Sequence, residues 1–221
     1  MNMTIHGEPD ARLIDALAHA ESSVRLRAAL SAGTLDDPRL VEVLVARCAL
    51  EPDFFVRDML TWALCRLPAE MTVPRLTAEL GSTTAQARSQ ALHTLSKIAD
   101  PEAWPAITRS LLHDAADEVA RSAWRAAVVL VPEDERAGLA AELAMQFGRG
   151  DRQLRSSLSR ALVALGEVIE PVLQTAAASP EPAVRAHAEA TLRLLHDPDA
   201  AFESDVDEAK RVVALGADGR R

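Results

Sequence analysis

A pattern that returns about every 31 residues constrains the fold of this chain more than any other feature. Six segments open with an apolar residue followed at once by arginine, and successive segments lie 30 to 34 residues apart. Self-similarity at such a period is typical of proteins built from stacked copies of one small unit. The apolar residues, called repeat position 0 below, are Val24, Val56, Ala87, Ala120, Leu154 and Val184.

Each copy also carries the apolar pattern of an α-helix. Apolar residues stand at positions 0, 4, 8 and 11, a spacing that places them on one face of a helix. Three residues before position 0, every copy has an acidic or hydroxyl residue, which suits a helix N-terminus. These residues are Glu21, Asp53, Thr84, Asp117, Asp151 and Glu181.

A shorter apolar segment precedes each of these helices. Three of the shorter segments contain a proline (Pro74, Pro105 and Pro171), which is expected to bend a first helix or to start its second half. Nine glycines, 3% aromatic residues and many Ala and Leu favour helix throughout. The unit is predicted to be helix, turn, helix. One such unit cannot bury its own apolar face, so the copies must stack.

The segments "PDFFVR" and "SPEPAVRAHAEATLRLL" show the motif that resembles the HEAT-repeat (armadillo-like) family. The resemblance implies an all-α fold: an α-solenoid, wound as a right-handed superhelix, of about six HEAT-like helical hairpins plus a C-terminal capping helix. "EPDFFVRDMLTWAL" is also similar to the C-terminal HEAT arrays of bacterial MerR-type regulators. We expect one domain over 1–221. Its predicted repeats are 9–35, 36–67, 68–99, 100–130, 131–165 and 166–197, followed by a capping helix at 198–216 and a tail at 217–221.

Every copy has arginine directly after position 0. The HEAT resemblance implies that this arginine pairs with an acidic residue of its own or a neighbouring unit and so forms a structural ladder. A row of phosphate-binding cations is the alternative. The six arginines are Arg25, Arg57, Arg88, Arg121, Arg155 and Arg185.

In a HEAT solenoid the second helices line the concave face, so their outward side chains are the predicted partner-binding groove. Positions 2, 5, 6 and 9 point away from the apolar stripe by helical geometry. Trp62 stands out because rigid aromatic residues are frequent in interaction hot spots; its packing on a neighbouring helix is the other interpretation. The candidate groove residues are Asp58, Trp62, Ser89, His93, Arg125 and Arg160, and the ridge of inter-helix turns is the alternative face.

Other classes of function find little support in the sequence. The net charge of −9 argues against nucleic-acid binding, and no apolar run approaches the about 20 residues that span a bilayer. Single histidines and two cysteines without CxxC spacing predict no metal site, no cofactor and no catalytic residue. Cys48 and Cys65 are expected to be small buried thiols in a reducing cytoplasm.

The sequence therefore predicts a cytoplasmic, non-enzymatic scaffold that binds a protein or small-molecule partner in its concave groove, with regulation as one setting. One alternative is a HEAT-like DNA glycosylase or nucleic-acid-binding protein, in which Asp58, Trp62, Arg125 and Arg160 would handle a base. Another alternative is a subunit similar to a bilin lyase.

Overall fold

The structure is a computed structural model that describes residues 10–197, and within this range every regular element is a helix. The predicted capping helix at 198–216 and the tail at 217–221 lie outside these residues. Short 3-10 turns occur at Pro38–Leu40, Pro101–Ala106, Glu133–Glu135 and Glu167–Ile169. The α-helices are α1 (Ala11–Leu17), α2 (Ser22–Leu35), α3 (Val41–Leu50), α4 (Phe54–Leu64), α5 (Ala69–Glu79), α6 (Ala85–Ile98), α7 (Arg109–Leu112), α8 (Asp117–Leu130), α9 (Arg136–Ala144), α10 (Arg152–Val163), α11 (Glu170–Ala177) and α12 (Pro182–His196).

The six copies of the sequence pattern form the six even-numbered helices, α2 to α12. Two of them begin with the predicted side-chain cap. The Asp53 carboxylate accepts hydrogen bonds from the backbone N–H groups of Phe55 (2.9 Å) and Val56 (3.1 Å), and Asp151 accepts one from Leu154 (2.8 Å). These bonds satisfy donors that a helix start leaves without partners.

The apolar stripe forms the core as its spacing predicts. Position 4 is buried in all six helices: Ala28, Leu60, Ala91, Trp124, Leu158 and Ala188. The prediction that position 11 is buried is wrong in the first copy, where Leu35 is 61% exposed. Leu35 ends α2, and the following Asp36 adopts a left-handed backbone with φ of 51°, so the chain turns before this side chain meets the core.

The three prolines affect their first helices differently. Pro74 lies inside α5, and Pro171 lies in the first turn of α11. Pro105 lies near the end of the 3-10 turn Pro101–Ala106, which is separated from the short helix α7. A proline supplies no backbone N–H and disfavours helical geometry in the residue before it, which accounts for the interruption at Pro105.

The chain divides into two compact units, the first ending at Pro132 and the second beginning at Glu133. In the first unit each odd-numbered helix packs on the helix that follows it, and α2, α4, α6 and α8 pack in succession. In the second unit α9 and α11 pack on α10 and α12, and α10 packs on α12. The prediction of one domain over 1–221 stays a prediction.

Candidate functional site

The turn between α3 and α4 is organised around one buried carboxylate, that of Glu51. It accepts hydrogen bonds from Arg25 Nε and Nη2 (both 2.7 Å), from Arg47 Nη2 (2.7 Å) and from the backbone N–H of Asp53 (3.0 Å). Burial disfavours the charged form, but the bonds from Arg25, the Asp53 N–H and Arg47 outweigh it and lower the pKa of Glu51 to about 2. The arginine of the first copy is therefore fully engaged within the fold.

The repeat arginine also fastens the turn that precedes its own helix. Nη1 donates to a backbone carbonyl six residues earlier in four copies: Arg25 to His19 (2.8 Å), Arg57 to Glu51 (2.9 Å), Arg88 to Ser82 (2.8 Å) and Arg185 to Ser179 (2.7 Å). These carbonyls lie in the turn between the paired helices. The guanidinium thus supplies hydrogen bonds to carbonyls that a helix end leaves without partners.

Carboxylate pairing of the predicted ladder occurs at two of the six arginines. Arg25 pairs with Glu51, and Arg88 pairs with Asp114 (Nε–Oδ2 3.0 Å); in both cases the acid lies 26 residues further along the chain. Arg121 and Arg155 are half-buried, and the described part of the chain gives their side chains no hydrogen-bond partner.

Polar side chains at one turn position accept a hydrogen bond from the backbone N–H two residues later. Glu51, at position −5, accepts from Asp53; His19 Nδ1 accepts from Glu21 (3.0 Å) in the same way. Ser82 and Ser179, also at position −5, accept from Thr84 and Glu181 (both 3.2 Å). The sequence signal for this turn is the polar residue that recurs five before position 0 in these four copies, and it was not among the predicted features.

Four of the six candidate groove residues belong to the first unit and reach solvent. Asp58 and Arg125 are exposed, Trp62 is 38% exposed and His93 is half-buried. Arg125 Nη1 lies 3.4 Å from His93 Nδ1. These four residues, which come from α4, α6 and α8, are called the second-helix face below.

The electrostatics of the second-helix face favour a neutral histidine. Desolvation, the charge of Arg125 and the charge of Lys97 lower the pKa of His93, while Asp58 acts in the opposite direction. A neutral His93 accepts the Arg125 hydrogen bond at Nδ1, so the guanidinium is held across the surface of α6 and α8.

Trp62 is both packed and exposed. A Cβ added at Gly33 of α2 would lie 2.8 Å from Trp62 Cε3, so the indole rests directly on the glycine backbone. Arg66 lies over the ring, with Cζ 5.2 Å from its centroid, and donates from Nε to the Gly33 carbonyl (2.7 Å). Trp62 is nevertheless 38% exposed. Its packing on a neighbouring helix is confirmed, and its role in partner binding stays a prediction.

Ser89 does not lie on this face, contrary to the sequence prediction. It is 8% exposed, and its hydroxyl lies 3.0 Å from Ser122 Oγ and donates to the Glu118 carbonyl (3.2 Å). Position 5 is also buried, at Thr61 in the first unit and at Ser159 in the second. A stacked helix has neighbours on both flanks, so it buries a wider face than its apolar stripe indicates.

The sixth candidate residue, Arg160, is exposed on α10 of the second unit. Arg160 and Trp62 belong to different compact units, and the prediction that they line the same surface stays a prediction. On the buried side of α10, Ser159 Oγ lies 2.7 Å from Thr191 Oγ1 of α12. In the first unit Thr61 and Thr94 occupy the same two repeat positions, 3.4 Å apart.

His187 of the second unit resembles a catalytic histidine but is placed for a structural role. Its Nδ1 accepts the backbone N–H of Gly148 (3.1 Å), which leaves the ring proton on Nε2. Nε2 lies 3.0 Å from the Arg155 carbonyl and 3.1 Å from Ser159 Oγ. A protonated Nε2 cannot accept the serine proton, so this pair lacks the arrangement of a nucleophile and its base.

The other reactive side chains form no common centre. Cys48 is buried, and burial raises the pKa of its thiol to about 12. Cys65 is exposed, so the expectation of two buried thiols is wrong for this residue. Residues 10–197 contain no group of three or more His, Cys, Asp or Glu arranged to hold a metal ion. In the same range no helix combines the length and apolar character that crossing a membrane requires.

Helical hairpins that recur along one chain and pack second helix on second helix define an α-helical repeat protein. Residues 51–127 match the family model described as HEAT repeats. The predicted class, an all-α solenoid of HEAT-like hairpins, is confirmed. Its right-handed winding and the similarity to MerR-type regulators stay predictions.

Solved structures with similar helical arrangements share little sequence with this chain. An engineered protein is 17% identical, with a TM-score of 0.47 over 83% of this chain and 97% of its own. The complex of CpcE and CpcF of phycocyanin lyase from Nostoc sp. PCC7120 is 18% identical (TM-score 0.47, 88% and 80% covered). Human deoxyhypusine hydroxylase is 22% identical (TM-score 0.40, 83% and 72% covered). No curated protein gives a significant match.

Proposed function

We propose that this protein is a non-enzymatic binding module that engages a protein partner through the second-helix face. The observation that carries the proposal is the placement of Asp58, Trp62, His93 and Arg125. The second helices of three successive repeats, α4, α6 and α8, present an aromatic ring, a carboxylate, an imidazole and a guanidinium outside the buried apolar stripe. Exposed aromatic and arginine side chains of this kind are the usual anchors of protein interfaces.

The spread of these side chains favours a protein partner over a small molecule. They come from α4, α6 and α8, and packed helices lie about 8–10 Å apart, so the face extends over roughly 16–20 Å. Protein interfaces use surfaces of this width, whereas small-molecule sites enclose most of their ligand. The mixed charges of Asp58 and Arg125 would select a partner with complementary charges.

The non-enzymatic part of the proposal rests on how the reactive groups are used. Four repeat arginines bond to carbonyls of their own turns, and that use opposes the alternative of a row of phosphate-binding cations. The protonated Nε2 of His187 makes Ser159 a poor nucleophile.

Affinity purification from the native cell tests the proposal when wild type and variants are compared quantitatively. We expect the Trp62→Ala and Arg125→Glu variants each to lose the same co-purifying protein. Arg27→Glu is the matched control, because Arg27 is an exposed arginine on α2, outside the face. Equal recovery of every co-purifying protein by the two face variants and by wild type would contradict the proposal.

A further inference from the structure

The turn that leads into α4 exposes an unusual concentration of apolar surface. Leu50 is 72% exposed, Phe54 65% and Phe55 71%, and the two phenyl rings meet edge to face with centroids 5.6 Å apart. These three residues are called the α4 turn patch. Single exposed apolar residues are common on proteins, but a contiguous group of large ones marks an interaction site.

Aromatic residues are scarce in this chain, and their distribution is uneven. Residues 10–197 contain six Phe and Trp side chains, and the three on α4, Phe54, Phe55 and Trp62, are the ones with more than a third of their surface exposed. The helix itself does not need Phe54 or Phe55, because Asp53 caps it and aromatic residues are mediocre helix formers. Their exposure therefore has no explanation in the stability of the fold.

The positive and the negative side chains around the α4 turn patch lie in different places. The cations are turned inward: Arg25 and Arg47 bind the buried Glu51 carboxylate, and Arg57 binds the Glu51 and Pro52 carbonyls (2.9 and 2.8 Å). Two carboxylates remain outside this network. Those of Glu21 and Asp53 lie close enough to Arg25 to raise its pKa, after the larger effects of the Glu51 hydrogen bond, burial and the Glu51 charge.

The exposed rim of the α4 turn patch is therefore acidic. Glu21 is exposed at the start of α2, and Asp58 is exposed one helical turn after Phe54. An acidic rim repels phosphate groups, which disfavours a nucleic acid or an anionic membrane as the occupant. A second copy would pair this rim with itself across a two-fold axis, which the like charges oppose.

We propose that the α4 turn patch is a docking surface for a protein segment with apolar side chains flanked by arginine or lysine. The apolar side chains would cover Leu50, Phe54 and Phe55. The flanking cations would meet Glu21 and Asp58 and lie against the exposed phenyl faces. The α4 turn patch adjoins the second-helix face at Asp58, but its apolar centre lies apart from that face, because Phe55 and Trp62 are separated by about 10 Å of helix rise.

Fluorescence anisotropy with defined peptides tests the proposal on the full chain. The probe is a labelled peptide of about fifteen residues that combines leucine with arginine, compared with one in which glutamate replaces every arginine. We expect the basic peptide to bind at least about tenfold more tightly than the acidic one, and added salt to weaken its binding. Equal binding of the two peptides would overturn the assigned partner chemistry.

Variants of the α4 turn patch locate the binding. We expect the double variant Phe54→Ser, Phe55→Ser to lose at least about tenfold in affinity for the basic peptide. Leu35→Ser is the matched control, because Leu35 is 61% exposed at the end of α2, and it should bind as wild type does. If the double variant unfolds at a lower temperature, Leu50→Ser at the last residue of α3 replaces it. Retained affinity in a folded patch variant would overturn the proposal. So would a wild-type dimer that the variant converts to a monomer, because the occupant would then be a second copy.

Discussion

Arg25 of α2 and Glu51, the residue after α3, form a two-point ion pair between the first and second hairpins. Nε lies 2.7 Å from Oε2 and Nη2 lies 2.7 Å from Oε1. The side chains are 7% and 0% exposed. A bidentate guanidinium–carboxylate pair in this environment fixes both distance and orientation, so it holds the two hairpins in one register.

Replacing Glu51 by Gln should destabilise the fold on the order of 3 kcal/mol, because the buried Arg25 and the half-buried Arg47 would lose their counter-ion. Urea unfolding followed by circular dichroism measures this loss. The control is Glu42→Gln, which breaks the ion pair between Glu42 and Arg75. The Glu42 side chain is 69% exposed. That variant should change stability by about 1 kcal/mol or less, and equal losses in both variants would contradict the role of Glu51.

The ion pair of Glu51 also predicts an acid limit to stability. Its folded-state pKa of about 2 lies below the ordinary 4.5, so the pair stabilises the fold fully above pH 4.5 and loses its effect as pH falls towards 2. The lost contribution is on the order of 3 kcal/mol. Unfolding free energies measured through this range should fall more steeply for wild type than for Glu51→Gln. Parallel curves for the two proteins would be inconsistent with this assignment.

The buried Trp124 and the partly exposed Trp62 should respond differently to replacement by alanine. Trp124 is 1% exposed, and its Nε1 donates to the Leu112 carbonyl (2.9 Å), so Trp124→Ala should cost about 3–5 kcal/mol of stability. Trp62 rests on Gly33 but is 38% exposed, so Trp62→Ala should cost about 1–2 kcal/mol.

Trp62→Ala, the substitution with the smaller effect on stability, should have the larger effect on partner affinity. Affinity for the protein recovered by purification should fall by about 1–3 kcal/mol in Trp62→Ala, measured by isothermal titration calorimetry at a temperature where the variant is folded. A Trp62→Ala protein as unstable as Trp124→Ala would show that Trp62 belongs to the core. Unchanged affinity with unchanged stability would move the binding site away from the second-helix face.

His187 predicts a second, milder pH effect in the second unit. Desolvation lowers its pKa below the ordinary 6.5, although its bond to the Arg155 carbonyl raises it, and a protonated Nδ1 would confront the Gly148 N–H. The neutral ring therefore stabilises the fold fully above pH 6.5, and stability falls as pH drops below that value. Unfolding free energies from about pH 7.5 to about pH 5 measure this loss.

Two substitutions of His187 separate its charge from its hydrogen bond. Asparagine places an oxygen near the position of Nδ1 and does not titrate, so His187→Asn should keep the Gly148 contact and remove the pH dependence. His187→Ala leaves the Gly148 N–H without an acceptor and should be less stable at every pH. A pH dependence that persists in His187→Asn would assign it to another group.

Sequence alone determined the elements and most of the core. The spacing of Val56, Leu60 and Leu64 specifies a helix with one buried face, because 3.6 residues complete each turn, and all three are buried. The same spacing predicts the burial of Trp124. The arginine after position 0 was also visible, since its place in the repeat does not depend on the partner that it finds.

Tertiary structure decided which polar residues face solvent. Ser89 and Thr61 were predicted outward from α6 and α4 considered singly, but the flanks of each helix pack on two neighbours, and both residues are buried there. Arg25 and Arg57 have the same repeat position and both bond to turn carbonyls, but Arg25 also meets a carboxylate. Which partner a guanidinium finds depends on the side chains that stacking brings next to it from elsewhere in the chain. Helical periodicity records only the arrangement within one helix, so it cannot contain that information.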